Sequence, residues 1–170
     1  MVYREEKDPV ETSGESILKV HASGICGSDM HAYHGKDERR IAPLIIGHEV
    51  SGVIQNGKFQ GKNAVLNPLI TCGKCEYCTS GREHLCPHRV LLGMNRPYER
   101  QGVFAELVSS PNQNIYEVPD HLNLNEAAIA EPTAVALHAV LMGEGSLTKP
   151  LSECRTCLLY TSPSPRDNGR

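Results

Sequence analysis

Four cysteines, Cys72, Cys75, Cys78 and Cys86, follow the pattern C-x2-C-x2-C-x7-C. Two-residue gaps let a backbone curl around one ion, and a short loop returns the fourth sulfur. The set therefore suits a single tetrahedral metal. Thiolates favour zinc, and a closed four-thiolate site is structural: it clips a fold and leaves no position open to a substrate. An iron–sulfur cluster is the other occupant that closely spaced cysteines accept. Three more candidates lie apart from this run. Cys26 is held between glycines in Gly24-Ile-Cys26-Gly-Ser28-Asp29-Met-His31, His48 and Glu49 are adjacent between two β-type runs, and Glu131 precedes Pro132 in a helical stretch. Cysteine, histidine and carboxylate are the residue types of an open zinc site. Each also has a plainer reading: a buried free thiol, a core histidine, a solvated glutamate. His84 and His88 read as surface residues, because four sulfurs already complete a tetrahedron.

The elements that must position these groups are mostly strands. With 170 residues the chain can build a domain with a core, and its net charge of −3 with no long basic run argues against nucleic acid as a partner. No apolar run reaches membrane-spanning length and no signal sequence opens the chain, so a membrane is not expected as a partner. Seven cysteines without a signal sequence read as thiols kept reduced in a cytoplasm. Frequent glycine and proline suit short strands and turns, hence a mainly β fold. Strands are expected over residues 16–22, 50–54, 61–68, 102–108 and 114–118, with a turn at Asn56-Gly57 and a short apolar segment over residues 90–94. Asn123 is set to cap a helix with Glu126 as its partner. Pro132 should interrupt that helix and open a longer one to Met142, ended by Gly143, which puts Glu131 at the break.

In order, Gly24-Ile-Cys26-Gly-Ser-Asp, Gly47-His48-Glu49, the four cysteines, Gly102-Val-Phe-Ala-Glu and Ala130-Glu131-Pro132 resemble the zinc-dependent medium-chain alcohol dehydrogenase family. The Ala-Glu131-Pro segment is most similar to the polyol (sorbitol-type) and threonine dehydrogenase branch. The resemblance covers residues 16–150. It implies a GroES-like catalytic domain over residues 1–122, with a structural-zinc lobe at 72–86, and a helical connection over 123–156 toward a Rossmann domain for NAD or NADP. It implies Cys26, His48 and Glu131 as ligands of a catalytic zinc, Glu131 directly or through water. Glu49 is the acidic neighbour that approaches the metal or stands behind it. Ser28 and His31 match a proton relay. The implied substrate is a secondary alcohol of a polyol, sugar derivative or amino alcohol, and the implied full-length parent is a homodimer or homotetramer. A free-standing zinc-binding or interaction module without catalysis is the alternative. The quinone-reductase branch is a distant third, since it lacks these ligands.

The dinucleotide fingerprint G-x-G-x-x-G does not occur: Gly143-Glu-Gly145 is not followed by the third glycine. The Rossmann domain is therefore expected to be absent, and the chain is expected to be a fragment without turnover of its own. The tail Cys157-Leu-Leu-Tyr-Thr-Ser-Pro-Ser-Pro-Arg-Asp167 resembles a translated transposon-based library adapter, so residues 157–170 are expected to be an artefact.

Overall fold

The structure, a computed structural model, describes residues 2–96, 99–147 and 150–153. The adapter-like tail lies outside the described residues. Two compact units divide the chain, Met1–Ala134 and Val135–Arg170.

The first unit is built on a five-stranded antiparallel sheet. Its strands are β1 (Glu15–Gly24), β2 (Glu49–Ile54), β3 (Asn63–Leu66), β6 (Leu107–Pro111) and β7 (Ile115–Glu117), in the order β6-β1-β2-β3-β7. Along β1 the first side chains alternate between the core and the other face. Leu18, Val50, Ile54, Ala64, Leu66, Val108 and Ile115 from the sheet join Ile70, Leu92 and Val103 in one apolar core. Leu18 and Ile54 are register partners at its centre. Between Val20 and Ala22 the β1–β2 register shifts by a bulge, which carries the end of β1 to pair Gly24 with Glu49.

A second, two-stranded sheet joins β4 (Leu69–Ile70) to β5 (Val90–Leu91). The segment between these strands carries all four cysteines of the C-x2-C-x2-C-x7-C run, so its two ends are fixed together at the base. The Asn114 side-chain amide donates to the carbonyls of Asn67 and Leu69 at 2.9 and 2.8 Å, tying this hairpin to the large sheet.

Two expectations shift in detail. The strand read over residues 102–108 starts only at Leu107. The residues before it are committed elsewhere: Gly102, Val103 and Phe104 donate their amides to Ile45, Gly47 and Ile46 at 2.7, 3.1 and 3.0 Å. The apolar segment before His48 is thereby held by residues 102–104, which belong to no strand among the described residues. The helix does break, but earlier than Glu131. It divides into α3 (Leu124–Ala127) and α4 (Ala130–Glu144). Asn123 and Glu126 form the capping box of α3, with Asn123 Oδ1 accepting the Glu126 amide at 2.9 Å. Pro132 is the third residue of α4, within the first turn, where a missing N–H costs no helical bond. Two further short helices, α1 (Gly27–Tyr33) and α2 (Glu76–Thr79), begin immediately after Cys26 and Cys75. The second unit contains the part of α4 beyond Ala134 and a short 3-10 turn at Leu151–Glu153. No described helix is long and apolar enough to cross a membrane.

Candidate metal centres

The first cluster is assembled where β1 and β2 run side by side. Cys26 follows the end of β1 in an extended conformation (φ −84°, ψ 154°) and is the cap of α1. Asp29, three residues on, accepts the Cys26 amide on Oδ2 at 3.0 Å. His48 enters from the opposite strand, after Gly47 at φ +95°. A side chain on Gly47 would be strained there and would meet the Phe104 ring at 2.5 Å, so the turn requires glycine. Gly24 is constrained in the same way, because its missing Cβ would come within 3.1 Å of the Glu49 carboxyl carbon. That space lets the Glu49 side chain lie across the end of β1. The outcome is a trio: one ligand atom each from Cys26, His48 and Glu49, all within 4.8 Å of one another.

Charge in this cluster is buried and interlocked. Asp29, His48 and Glu49 are 2%, 5% and 7% exposed. Asp29 Oδ1 stands 3.5 Å from His48 Nδ1, and neither atom has a hydrogen-bond partner within normal reach. The two buried atoms face each other just beyond normal hydrogen-bond reach, as a carboxylate placed to hold an imidazole from behind would. The carboxylate orients the ring and leaves Nε2 as the free donor. His48 is raised above its usual pKa by the Asp29 carboxylate, against burial, with Cys26 adding to the rise. Burial pushes Asp29 up, yet His48, the Cys26 amide and Arg40 bring it below its usual value. The Cys26 thiol is lowered chiefly by the Ser28 hydroxyl and amide, against burial, with help from His48. These shifts favour a thiolate at Cys26, the form that binds metal.

Glu131 lies outside the trio but within electrostatic reach of it. Burial raises its carboxyl, His48 lowers it and the Glu49 charge raises it again. Ser28 and His31 occupy the first and second turns of α1 and line one cavity with Lys36, Asp37 and Arg39. His31 is exposed. Asp29 was not singled out as a functional residue by sequence. Its signal was a capping-box spacing after Cys26, obscured because cysteine is an unusual helix cap.

The second cluster joins the four cysteines. Cys75 Sγ lies 3.4 Å from Cys78 Sγ, Cys72 lies 3.9 Å from Cys78, and Cys86 lies 3.6 Å from Cys72. A tetrahedral ion with metal–sulfur bonds of about 2.3 Å requires sulfur–sulfur edges of about 3.8 Å, so the cage fits zinc. His84 and His88 are exposed and belong to neither cluster. The amides of Lys74 and Cys75 hold the Cys72 thiol down to about 6. Cys75 receives the Cys78 amide, but burial and the neighbouring sulfurs push it up to about 11. Four thiolates repel one another unless a cation compensates them. One thiol of the cage is thus held down and another pushed up, and a divalent ion would balance the charge of the thiolates that bind it.

A β-domain with one closed four-sulfur cage and one open cluster of thiol, imidazole and carboxylate is the architecture of a zinc-type oxidoreductase domain. The alcohol dehydrogenase GroES-like domain family matches residues 12–120, and the chain belongs to that family. Over 164 residues, or 92% of the chain, it is 32% identical to the D-arabitol-phosphate dehydrogenase of Enterococcus avium, and covers 44% of that protein. It is 38% identical over 136 residues, or 75% of the chain, to an L-threonine 3-dehydrogenase of Anaeromyxobacter sp. (strain Fw109-5), and covers 38% of it. A short chain alcohol dehydrogenase of E. coli CFT073, solved in complex with cofactor NADH, superposes with a TM-score of 0.73 at 30% identity over 81% of this chain and 41% of its own. The chain thus spans less than half the length of these relatives.

Two outcomes follow from the geometry. In chelator-treated protein, iodoacetamide labelling of Cys72, followed by mass spectrometry, is expected to rise with pH to half its plateau near the thiol value of about 6, and one equivalent of zinc is expected to protect all four cysteines. Labelling of Cys72 that half-rises only near the ordinary thiol value would contradict the amide contacts. Asp29→Asn is expected to weaken metal binding at the Cys26–His48 cluster about 10- to 100-fold in a competition titration, leaving the four-cysteine cage unchanged.

Proposed function

We propose that this chain is the metal-binding catalytic domain of a zinc-dependent dehydrogenase that oxidises a secondary alcohol of a polyol, sugar derivative or amino alcohol, with NAD or NADP as hydride acceptor. The observation that carries the proposal is the convergence of Cys26, His48 and Glu49, from two sequence segments, to within 4.8 Å inside this family's fold. The named substrates of the arabitol-phosphate and threonine relatives support a secondary alcohol, and the NADH complex supports a nicotinamide acceptor.

Cys26, His48 and a carboxylate hold the catalytic ion. Glu49 offers a ligand oxygen within 4.8 Å of the other two donors, and Glu131 is a further carboxylate in electrostatic reach of the cluster. With one thiolate, one carboxylate and a neutral imidazole, the donor set balances a divalent charge. A bound Zn²⁺ supplies the positive charge that makes an alcohol hydroxyl acidic near neutral pH. The residues of the chain then handle the proton. Ser28 Oγ, two positions after Cys26, accepts it from the substrate hydroxyl while handing its own proton to the exposed His31 imidazole, which releases a proton to solvent. Asp29 keeps the His48 ring in orientation throughout. The four-cysteine cage holds a second, structural zinc and takes no part in the reaction.

The test is alcohol oxidation by the protein encoded by the complete reading frame, followed as reduced nicotinamide. Ser28→Ala is expected to lower kcat about 100-fold or more at unchanged zinc content. Full activity in that variant would remove the relay, and no oxidation of any alcohol by the zinc-loaded wild type would leave the chain as a zinc-binding module.

A further inference from the structure

The cavity beside Ser28 and His31 has a volume of about 260 Å³, and its other lining residues are Lys36, Asp37 and Arg39. Directly behind it, the Arg40 side chain is 1% exposed. A buried guanidinium is costly unless its donors are met. Arg40 meets them with Asp37 Oδ2 at 2.6 Å, the Gly93 carbonyl at 3.1 Å, and the Ser28 carbonyl and hydroxyl at 3.4 Å each. That network fixes Asp37 in the cavity wall and braces it against the relay serine. Arg39 then takes the same carboxylate from the solvent side, Nε to Oδ1 at 3.0 Å and Nη2 to Oδ2 at 3.3 Å. Burial raises the Asp37 carboxyl, but its arginine contacts outweigh this and hold it at about 2, so it stays ionised.

One carboxylate therefore stands between two guanidiniums, and the Lys36 ammonium adds a third cation to the lining. Neither Arg39 Nη1 nor Lys36 Nζ has a hydrogen-bond partner among the described residues. The exposed Glu38 is not part of the lining. Three cations thus face one carboxylate, and a substrate bearing only hydroxyl groups leaves that net positive charge unmatched. A dianionic phosphate ester matches it, and a guanidinium edge that Asp37 has already oriented suits the ester's oxygens.

We propose that Lys36 and Arg39 form an anion subsite that receives a phosphate monoester carried by the substrate alcohol, a few carbons from the hydroxyl presented to Ser28. This rests on the dehydrogenase reading of the Cys26–His48 cluster. It makes the substrate a phosphorylated polyol rather than a neutral one.

The test compares glycerol 3-phosphate with glycerol as probes, by calorimetry on the zinc-loaded full chain, in the wild type, in the double variant K36A/R39A and in Lys58→Ala as a control for a distant surface charge. The wild type and Lys58→Ala are expected to prefer the phosphate ester at least about tenfold, and the double variant is expected to lose that preference. No preference in the wild type, or one that survives in K36A/R39A, overturns the subsite. In the complete dehydrogenase the same double variant is expected to raise KM for a phosphorylated polyol while leaving KM for the nicotinamide cofactor unchanged. An increase in the cofactor KM alone assigns the cations to the cofactor's phosphates and overturns the substrate assignment. If the complete protein oxidises no alcohol, the dehydrogenase reading fails while the binding comparison still decides the subsite.

Discussion

Asp29 joins two pieces of chain that sequence alone leaves 19 positions apart, since one oxygen receives the Cys26 amide and the other faces the His48 ring. Burying a carboxylate without partners costs several kcal/mol, so its place in the fold exists only where both partners arrive together. The β1–β2 register secures that meeting. A bulge after Val20 sets Gly24 opposite Glu49, and the glycine leaves room for the Glu49 side chain to cross the strand end. The same register then delivers thiol, imidazole and carboxylate to one point. Each of these groups would be expensive to bury alone. Together they form a cluster of donor types that can hold a cation.

The four-cysteine cage obeys a different constraint. It lies between β4 and β5, so its ends are fixed by two short paired strands and by the Asn114 amide rather than by the core. The sulfurs are already at the spacing of a tetrahedron, yet their thiol values split widely, from about 6 at Cys72 to about 11 at Cys75. A metal ion bound by the four sulfurs would remove that conflict. The two clusters thus differ in donor chemistry: one is four sulfurs, the other one thiol, one imidazole and one carboxylate.

Much of this was legible in the residues. The cysteine spacing announced a tetrahedral cage, the short apolar runs bounded by glycine and proline placed most strands, and Asn123 with Glu126 marked a helix start. Other features depended on tertiary contacts. The segment from Gly102 to Phe104 has a strand's composition, but its amides go to the turn before His48. Pro132 signalled an interruption, yet inside a first helical turn it interrupts nothing, and the break falls earlier. Glu49 offers a carboxylate oxygen within 4.8 Å of the Cys26 and His48 donor atoms, while Glu131 senses His48 and Glu49 from outside that group, a distinction that spacing along the chain does not encode. Asp29 and Arg40 were hidden for the same reason. Their importance lies in what they touch, and an aspartate or arginine in a polar stretch has no distinctive pattern before the chain folds.

The central claim is that the chain holds two metal sites of unlike chemistry, and X-ray absorption at the zinc edge of the zinc-loaded chain tests it most directly. The expected result is two zinc ions per chain with a mean first shell of about 2.5 sulfurs and the remainder nitrogen or oxygen, from one four-sulfur site and one site with a single sulfur. A single zinc ion surrounded by four sulfurs alone would contradict it, leaving Cys26 and His48 as neighbours in a fold without a metal between them.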